Sequence, residues 1–351
     1  MRLASAVSLL GLLVVSCSDD NPTKATPPTT TKQAWIGSYT SGLGAGDVIL
    51  DITQTGSSLA GEVVIGPTAA TYARLTGVMS SDSMFLSLDP AVGNPAIFSL
   101  RLKVHSDTTC SGTMTVVSAG MTADVTCRPL PRRTVDTDET HEIPSSVVTM
   151  VYDGSLIWLS ASEDYARIEP STGAVVDHVV IHHEPAAVWV STELMYDGTV
   201  VWGMYPISIG GPGGNTNVAD LLGFTAAGRT PDSIRVDHRP HGMAYDGTRY
   251  WSLRNEPGAL TSFDRTGAIT DSLHVGIPDG SDLGFDGSRF WVLGFHLERL
   301  YEVSTTGEVL AICDLPSTGP SFKVGLATEG SHIWFGEDRI SSTTLHRMTL
   351  R

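Results

Sequence analysis

Six polar residues in the C-terminal part of the 351-residue chain have the side chains best suited to chemistry. They lie in short segments between apolar runs: His183, His241, Arg254, Asp282, His296 and Lys323. Imidazole, carboxylate and cationic groups bind polar ligands, transfer protons or hold metals. These six are therefore our candidate ligand-binding residues.

No fixed catalytic or metal-binding spacing accompanies them. His182-His183-Glu184 with His241 offers ligand types that suit zinc, but the H-E-x-x-H spacing is missing. Solvated loop histidines explain that segment better. The chain also lacks a Gly-x-Ser-x-Gly elbow and a papain-like cysteine motif. We assign no catalytic residue, metal or cofactor, although the carboxylates leave a glycosidase pair open.

A repeated phrase supplies the elements that position the candidates. Tyr245-Asp246-Gly247, followed by Trp251, recurs with small changes at five places, and the five tryptophans are 44, 49, 40 and 43 residues apart. A period of this length is typical of propeller blades. Asp-Gly between alternating apolar runs predicts a hairpin with a type I′ turn. Each phrase is thus predicted to be the inner hairpin of one blade, with its tryptophan packed between neighbouring blades.

The repeat places the candidates at one end of the ring. The short Asp-Gly and Thr-Gly turns fall on one face, and the blade-to-blade links and post-tryptophan loops fall on the other. His241, Asp282 and Lys323 start inner strands, so we expect them at the mouth of the central channel. The other three candidates are expected around its rim. The Gly-rich insertion at 205–220 is on the same face, where long loops often act as lids.

A borrowed strand is predicted to close the ring. The fifth unit has three predicted strands, and Thr134–Pro144 matches its missing outer strand in length, polarity and terminal proline. Pairing of this N-terminal strand with the last blade covers a sheet edge that would otherwise be exposed. Residues 134–351 then form a five-bladed β-propeller. At the Asp-Gly and Trp positions the repeats resemble secreted propellers of the glutaminyl-cyclotransferase-like and YVTN-like kinds. These positions are structural, so the resemblance implies the fold and not the cyclotransferase activity.

Residues 33–129 predict a separate all-β domain. About eight short alternating strands with hairpin turns favour a small antiparallel β-barrel or sandwich. Trp35-x-Gly37-x-Tyr39 and the hairpin from Thr53 to Gly61 are similar to small lipocalin- or avidin-like barrels. Cys110 and Cys127 lie in adjacent predicted strands, and we expect a disulfide between them in an exported protein.

The leader predicts export and lipid anchoring. Arg2 precedes the apolar run Leu3–Val15, which is too short to span a bilayer and suits a signal peptide over residues 1–16. Val14-Val15-Ser16-Cys17 resembles the lipobox of bacterial lipoproteins, which implies acylation of Cys17. Residues 17–32 are a Pro/Thr-rich linker. The expected location is the bacterial cell envelope, with a lipid anchor in the outer membrane or at the cell surface.

Charge narrows the classes of partner. The formal net charge is −16 without a basic cluster, which excludes nucleic acid as a partner. The leading hypothesis is a membrane-anchored lipoprotein whose propeller is a non-catalytic binding or scaffold module for a glycan, peptide or protein. The alternatives are a propeller hydrolase or lyase, with its site in the central mouth, and a purely structural envelope component.

Overall fold

The structure is a computed structural model, and it shows an all-β protein of two closed β-architectures. It describes residues 29–42, 44–66, 71–91, 93, 97–106, 109–117, 120–161, 164–180, 193–206, 218–254, 258–316, 322–339 and 341–350. Within these ranges no helix is long and apolar enough to cross a membrane. The leader and Cys17 lie outside the described residues.

The N-terminal strands form a closed antiparallel barrel in chain order. They are β1 Thr30–Ser41, β2 Gly44–Thr55, β3 Ser58–Ile65, β4 Thr71–Ser80, β5 Ser83–Leu88, β6 Phe98–Ser106, β7 Thr109–Val116 and β8 Met121–Leu130. β1 pairs with both β2 and β8, which closes the sheet. Of the two predicted architectures, the barrel is the one observed. Its first strand begins at Thr30, within the predicted linker.

Strand alternation gives the barrel two apolar surfaces. In β2, Val48, Leu50 and Ile52 belong to the hydrophobic cluster inside the barrel. Ile49, between them, belongs instead to a cluster shared with the propeller. Because successive side chains point to opposite faces of a strand, one strand serves both cores.

Cys110 and Cys127 are direct partners in the β7–β8 register, and both are buried. Both are free thiols, so the expected disulfide is absent from this structure. A hydrogen bond between the thiols lowers the pKa of Cys110, and the same bond together with burial raises the pKa of Cys127.

Five four-stranded units form the propeller. Blade 1 holds β11 Thr149–Tyr152, β12 Ile157–Ala161, β13 Asp164–Ile168 and β14 Val175–Val180; blade 2 holds β15 Leu194–Tyr196, β16 Val201–Pro206, β17 Ala219–Thr225 and β18 Gly228–Val236; blade 3 holds β19 Met243–Tyr245, β20 Tyr250–Arg254, β21 Ala259–Phe263 and β22 Ile269–His274. Blade 4 holds β23 Gly280–Phe285, β24 Phe290–Gly294, β25 Arg299–Val303 and β26 Val309–Asp314, and blade 5 holds β27 Phe322–Glu329, β28 His332–Asp338, β29 Thr343–Leu350 and β10 Val135–Ile143.

The predicted ring closure is confirmed. β10 precedes blade 1 in the chain but pairs antiparallel with β29, the third strand of blade 5. Glu139 of β10 accepts a hydrogen bond from Arg347 of β29 at 3.3 Å. The first propeller strand therefore fastens the last blade.

The repeated Asp joins the turn to the inter-blade core. In the first four blades its Oδ2 accepts the indole N–H of the tryptophan five residues later, at 2.7 to 2.9 Å. Glu329 does the same for Trp334 in blade 5, at 2.8 Å. Each tryptophan is buried against the next blade, as predicted; Trp158, for example, clusters with Leu194 and Phe224 of blade 2.

The turn type differs from the prediction. The Asp153 amide donates to the Leu156 carbonyl at 3.0 Å, so Gly154 and Ser155 are the central turn residues. Gly154 has a φ of 95°, and Ser155 is not among the described residues with positive φ. A positive φ at the first central residue alone defines a type II′ turn. The predicted type I′ turn is wrong because Asp precedes the two-residue loop instead of entering it.

The barrel packs against blades 3 and 4. Ile36 and Ile49 of the barrel share a hydrophobic cluster with Val275, Ile277 and Leu297 of the propeller. The predicted joint between the domains contains one further short strand, β9 Arg132–Arg133, which pairs parallel with β26. Blade 4 therefore carries a fifth strand that ties it to the barrel.

Candidate functional site

The two faces of the ring are built from different connections. The first and third hairpins of each blade turn on one face, which we call the Asp-Gly face. The second hairpin and the links between blades lie on the other, which we call the loop face. The structure describes five of the candidates from the sequence, and they lie in loop-face connections or near the strand ends on that side: His241, Arg254, Asp282, His296 and Lys323.

A ring of five equivalent positions constricts the channel between these faces. Each position lies three residues before the aromatic residue or threonine that precedes the repeated acid, and together they are Thr149, Glu193, Gly242, Asp282 and Gly325. A Cβ added at Gly242, whose φ is 153°, would lie 2.7 Å from the Asp282 Cα. Glycine is therefore required at that position for two inner strands to approach this closely.

Asp282 forms hydrogen bonds that connect two neighbouring blades at this ring. Its Oδ1 accepts the Leu283 amide and its Oδ2 accepts the Leu326 amide, each at 2.7 Å. The second bond joins blade 4 to blade 5. Burial raises the pKa of Asp282 to about 8, although these amides and the Thr149 hydroxyl act in the opposite direction. Burial therefore favours the protonated form of this carboxyl.

Glu193 completes a buried carboxyl pair with Asp282. Burial raises the pKa of Glu193 well above its usual value, and the nearby Asp282 raises it further, while Arg239 lowers it. Two close carboxyl groups in an apolar setting cannot both ionise readily, so they titrate as a unit. His241, half-buried beside Arg239, has its pKa lowered by burial and then by that charge.

Lys323 lies in a second buried network, within blade 5. Its Nζ is 3.0 Å from Oε1 of Glu337, and both side chains are almost fully buried. The second oxygen of Glu337 is 3.2 Å from the His346 ring. That ring stacks on Phe335 with centroids 4.7 Å apart. Lys323 therefore connects three strands of its own blade.

The expected rim residues have different surroundings. The His296 ring stacks on Tyr72 of the barrel, with centroids 5.5 Å apart, so it lies at the domain interface. Its backbone amide donates to the buried Asp279. Arg254 ends β20 and is half-buried on the loop face. His183 and most of the Gly-rich insertion lie outside the described residues.

The structure thus brings together only part of the predicted set. Asp282 shares the channel ring with Glu193, which sequence reasoning missed, and His241 directly precedes the ring residue Gly242. Counting three residues back from Tyr196, as Asp282 precedes Phe285, would have found Glu193. His346 lies on the third strand of blade 5, where a predicted channel lining gave no reason to expect it.

The chemistry open to this site is proton transfer or hydrogen bonding. A protonated carboxyl can donate a proton to a ligand, and a neutral histidine can accept one. Within the described residues no group of three His, Cys, Asp or Glu side chains is arranged to hold a metal ion.

The fold and site define an all-β protein with a filled barrel and a five-bladed propeller constricted by a carboxyl pair. No family model and no curated protein matches the chain. Among solved structures it is similar to a glutaminyl cyclase from Myxococcus xanthus, at 14% identity and a TM-score of 0.49, over 63% of this chain and 99% of that one.

Two further solved structures are similar to the chain. One is a catalytically inactive virginiamycin B lyase from Staphylococcus aureus with quinupristin, at 15% identity and a TM-score of 0.34, over 83% of this chain and 92% of that one. The other is the RRP9 WD40 repeats, at 11% identity and a TM-score of 0.35, over 62% of this chain and all of that one.

Proposed function

We propose that the chain is a lipid-anchored envelope protein whose propeller is a non-catalytic binding or scaffold module. The observation that supports this proposal is that Asp279, Asp282 and Lys323, on the loop-face side, already form hydrogen bonds within the protein. Asp282 is held by two amides, Lys323 by Glu337, and Asp279 by the amides of His296 and Leu297. These groups brace the ring.

His241 and Arg254 are then the candidates that remain for contact with a glycan, peptide or protein ligand. Both are half-buried on the loop face, and neither is a described member of the bracing bonds above. A glycan and peptide array with purified protein would identify the ligand. His241→Ala and Arg254→Ala should each weaken binding, while the exposed Asp232→Ala should not. Equal binding by all three variants would show that the ligand does not contact His241 or Arg254.

The anchoring part of the proposal rests on the lipobox-like segment ending at Cys17. Several acyl chains on one cysteine would hold the protein on a membrane, since each buried methylene contributes about 0.8 kcal/mol. We expect Cys17→Ser to lose a metabolic lipid label and to move to the soluble envelope fraction. The Ser16→Ala protein is the control. Unchanged membrane retention of Cys17→Ser would contradict the anchor.

Export to an oxidising compartment would also join Cys110 and Cys127. Directly opposed residues of an antiparallel pair have Cα atoms within disulfide range. A thiol–disulfide oxidoreductase of the envelope would accept the two electrons and two protons released. We expect protein from that compartment to resist alkylation at both positions until reduced, and to lose roughly 3 kcal/mol of stability on reduction. Alkylation of both thiols without a reductant would contradict the pairing.

A second candidate function, a hydrolase or lyase, is favoured by the Glu193–Asp282 pair. A carboxyl kept protonated by burial can act as a general acid. The test is a screen of activated glycosides and esters with the wild-type protein and Glu193→Gln. Turnover that is lost in Glu193→Gln would show that the protein is an enzyme and not a non-catalytic binding module. Absence of turnover alongside array binding would favour the module.

A further inference from the structure

A cavity of about 270 Å³ opens the channel on the Asp-Gly face, away from the candidates above. All five inner strands line it, each with the residues that follow the constricting ring. The outermost lining positions are those that precede the repeated acid, and they are Tyr152, Tyr196, Tyr245, Phe285 and Thr328. Four of the five are aromatic, and all five are half-buried.

The deeper lining is apolar and carries no cation. It includes Met195, Met243, Leu283 and Leu326, and none of the described lining residues is Lys, Arg or His. Glu193 and Asp282 of the constricting ring directly precede the lining residues Leu194 and Leu283 in the chain. The cavity is therefore an aromatic cup with an apolar inner lining.

Carboxylates lie close to the aromatic residues of the cup. Four of the five repeated acids directly follow one of these aromatic residues in the chain, and the fifth, Glu329, follows Thr328. Burial raises the pKa of Tyr152, and Glu329 and Asp153 raise it further, with Arg347 partly offsetting them. Burial likewise raises the pKa of Tyr196, with added effects of Asp153 and Asp197. Carboxylates from neighbouring turns thus act on the tyrosines of the cup.

Two nearby arginines lie over tryptophan rings and pair with repeated acids. Arg249 is 4.6 Å from the Trp251 ring centroid and pairs with Asp246. Arg347 is 5.9 Å from that of Trp334 and pairs with Glu329. These cations already occupy aromatic faces of the repeat, which shows the attraction that the inner aromatic faces offer to a ligand.

We propose that this aromatic cup binds a quaternary ammonium group. The negative faces of aromatic rings attract cations, and a methylated ammonium also suits an apolar lining because it has no N–H to satisfy. A cavity of this size admits such a headgroup together with a short chain. The cup is a site separate from the loop face.

The test compares choline with 3,3-dimethylbutan-1-ol, its uncharged isostere, by isothermal titration on the full-length protein. We expect choline to bind at millimolar concentration or better and the isostere to bind at least about tenfold more weakly. Equal binding of both compounds would mean an apolar pocket without cation recognition. Absence of choline binding would likewise overturn the proposal.

Variants place the binding in the cup. Tyr196→Ala should weaken choline binding about tenfold, and Tyr196→Phe should retain it, because the ring face is preserved. Phe295→Ala, which removes an exposed aromatic ring from the loop face, is the matched control. Circular dichroism confirms that each variant is folded. Loss of binding in Phe295→Ala with retention in Tyr196→Ala would place the cation on the opposite face.

Discussion

The Asp-Gly face and the constricting ring hold the same residue type with pKa values shifted in opposite directions. On the Asp-Gly face, burial of Asp197 and Asp246 would raise their pKa values, but the indole, hydroxyl and backbone donors around each lower them to about 2. In the constricting ring, burial outweighs the donors and raises the pKa of Asp282 to about 8. Burial and donors both contribute to the difference, because Asp282 is almost fully buried, whereas Asp197 and Asp246 are half-buried and have more donors around them.

This contrast teaches that the ring has two opposing responses to pH. A carboxylate with a lowered pKa stabilises the fold above pH 4, and its contribution is lost as the pH falls toward 2. A carboxyl with a raised pKa stabilises the fold at acid pH, and its contribution is lost as the pH rises from 4 toward 8. The stabilising contribution of each kind of carboxyl group is therefore lost in the pH range where the contribution of the other is fully present.

The largest loss of stability is expected when the ring closure by β10 is removed, because both faces of the ring depend on it. Replacing Val135–Ile143 by a Gly/Ser segment of equal length should unfasten blade 5 and expose the β29 edge. We expect aggregation, or a melting temperature lower by about 10 °C. The same replacement of Ile269–His274 removes an outer strand of blade 3 and leaves the closure intact, so it should cost less. Similar losses in both proteins would mean that β10 is only an edge strand.

The Asp-Gly face is tested by Asp246→Asn. The amide cannot accept from Trp251 and the turn together as the carboxylate does, so we expect a loss of about 2 kcal/mol at pH 7. Denaturant titration should show that the gap from wild type shrinks between pH 5 and pH 2. Asp232→Asn, at an exposed position, is the control. A gap that stays constant with pH would show that the charge of Asp246 contributes nothing.

A substitution in the constricting ring should change the stability less than Asp246→Asn does, and with the opposite dependence on pH. In Asp282→Asn one of the two amides loses its acceptor, which costs about 1 kcal/mol at pH 5. Since wild type loses stability as Asp282 ionises, the difference should narrow or reverse by pH 9. Unfolding titrations of both proteins at pH 5, 7 and 9 measure it. A difference that widens with pH would mean that Asp282 is ionised in the folded protein.

Local chemistry made much of the fold predictable. The period of the Asp-Gly-to-Trp phrase gave five blades, and the match of Thr134–Pro144 to an outer strand gave the closure that β10 makes. Both depend on turn and strand patterns within a few residues. The Asp-to-indole bond, by contrast, was not predicted, although its constant five-residue spacing is visible in four blades.

The candidate site was less predictable because it depends on contacts between distant segments. Glu193 was missed although it lies directly before β15, which begins at Leu194. His296 was expected at the channel rim, but the barrel packs there and Tyr72 stacks on it. Where one domain rests on another follows from surface complementarity, which no repeat pattern reveals.

The position of the barrel also determines how the protein would carry a mechanical load. Lys32, near the start of β1, pairs with Asp314 at the end of β26, and Arg132 of β9 reaches the same carboxylate. β1 and β8 are neighbours, so the chain enters and leaves the barrel side by side. Tension applied ahead of Thr30 would therefore act first on β1, beside these ion pairs and the contact between the barrel and blade 4.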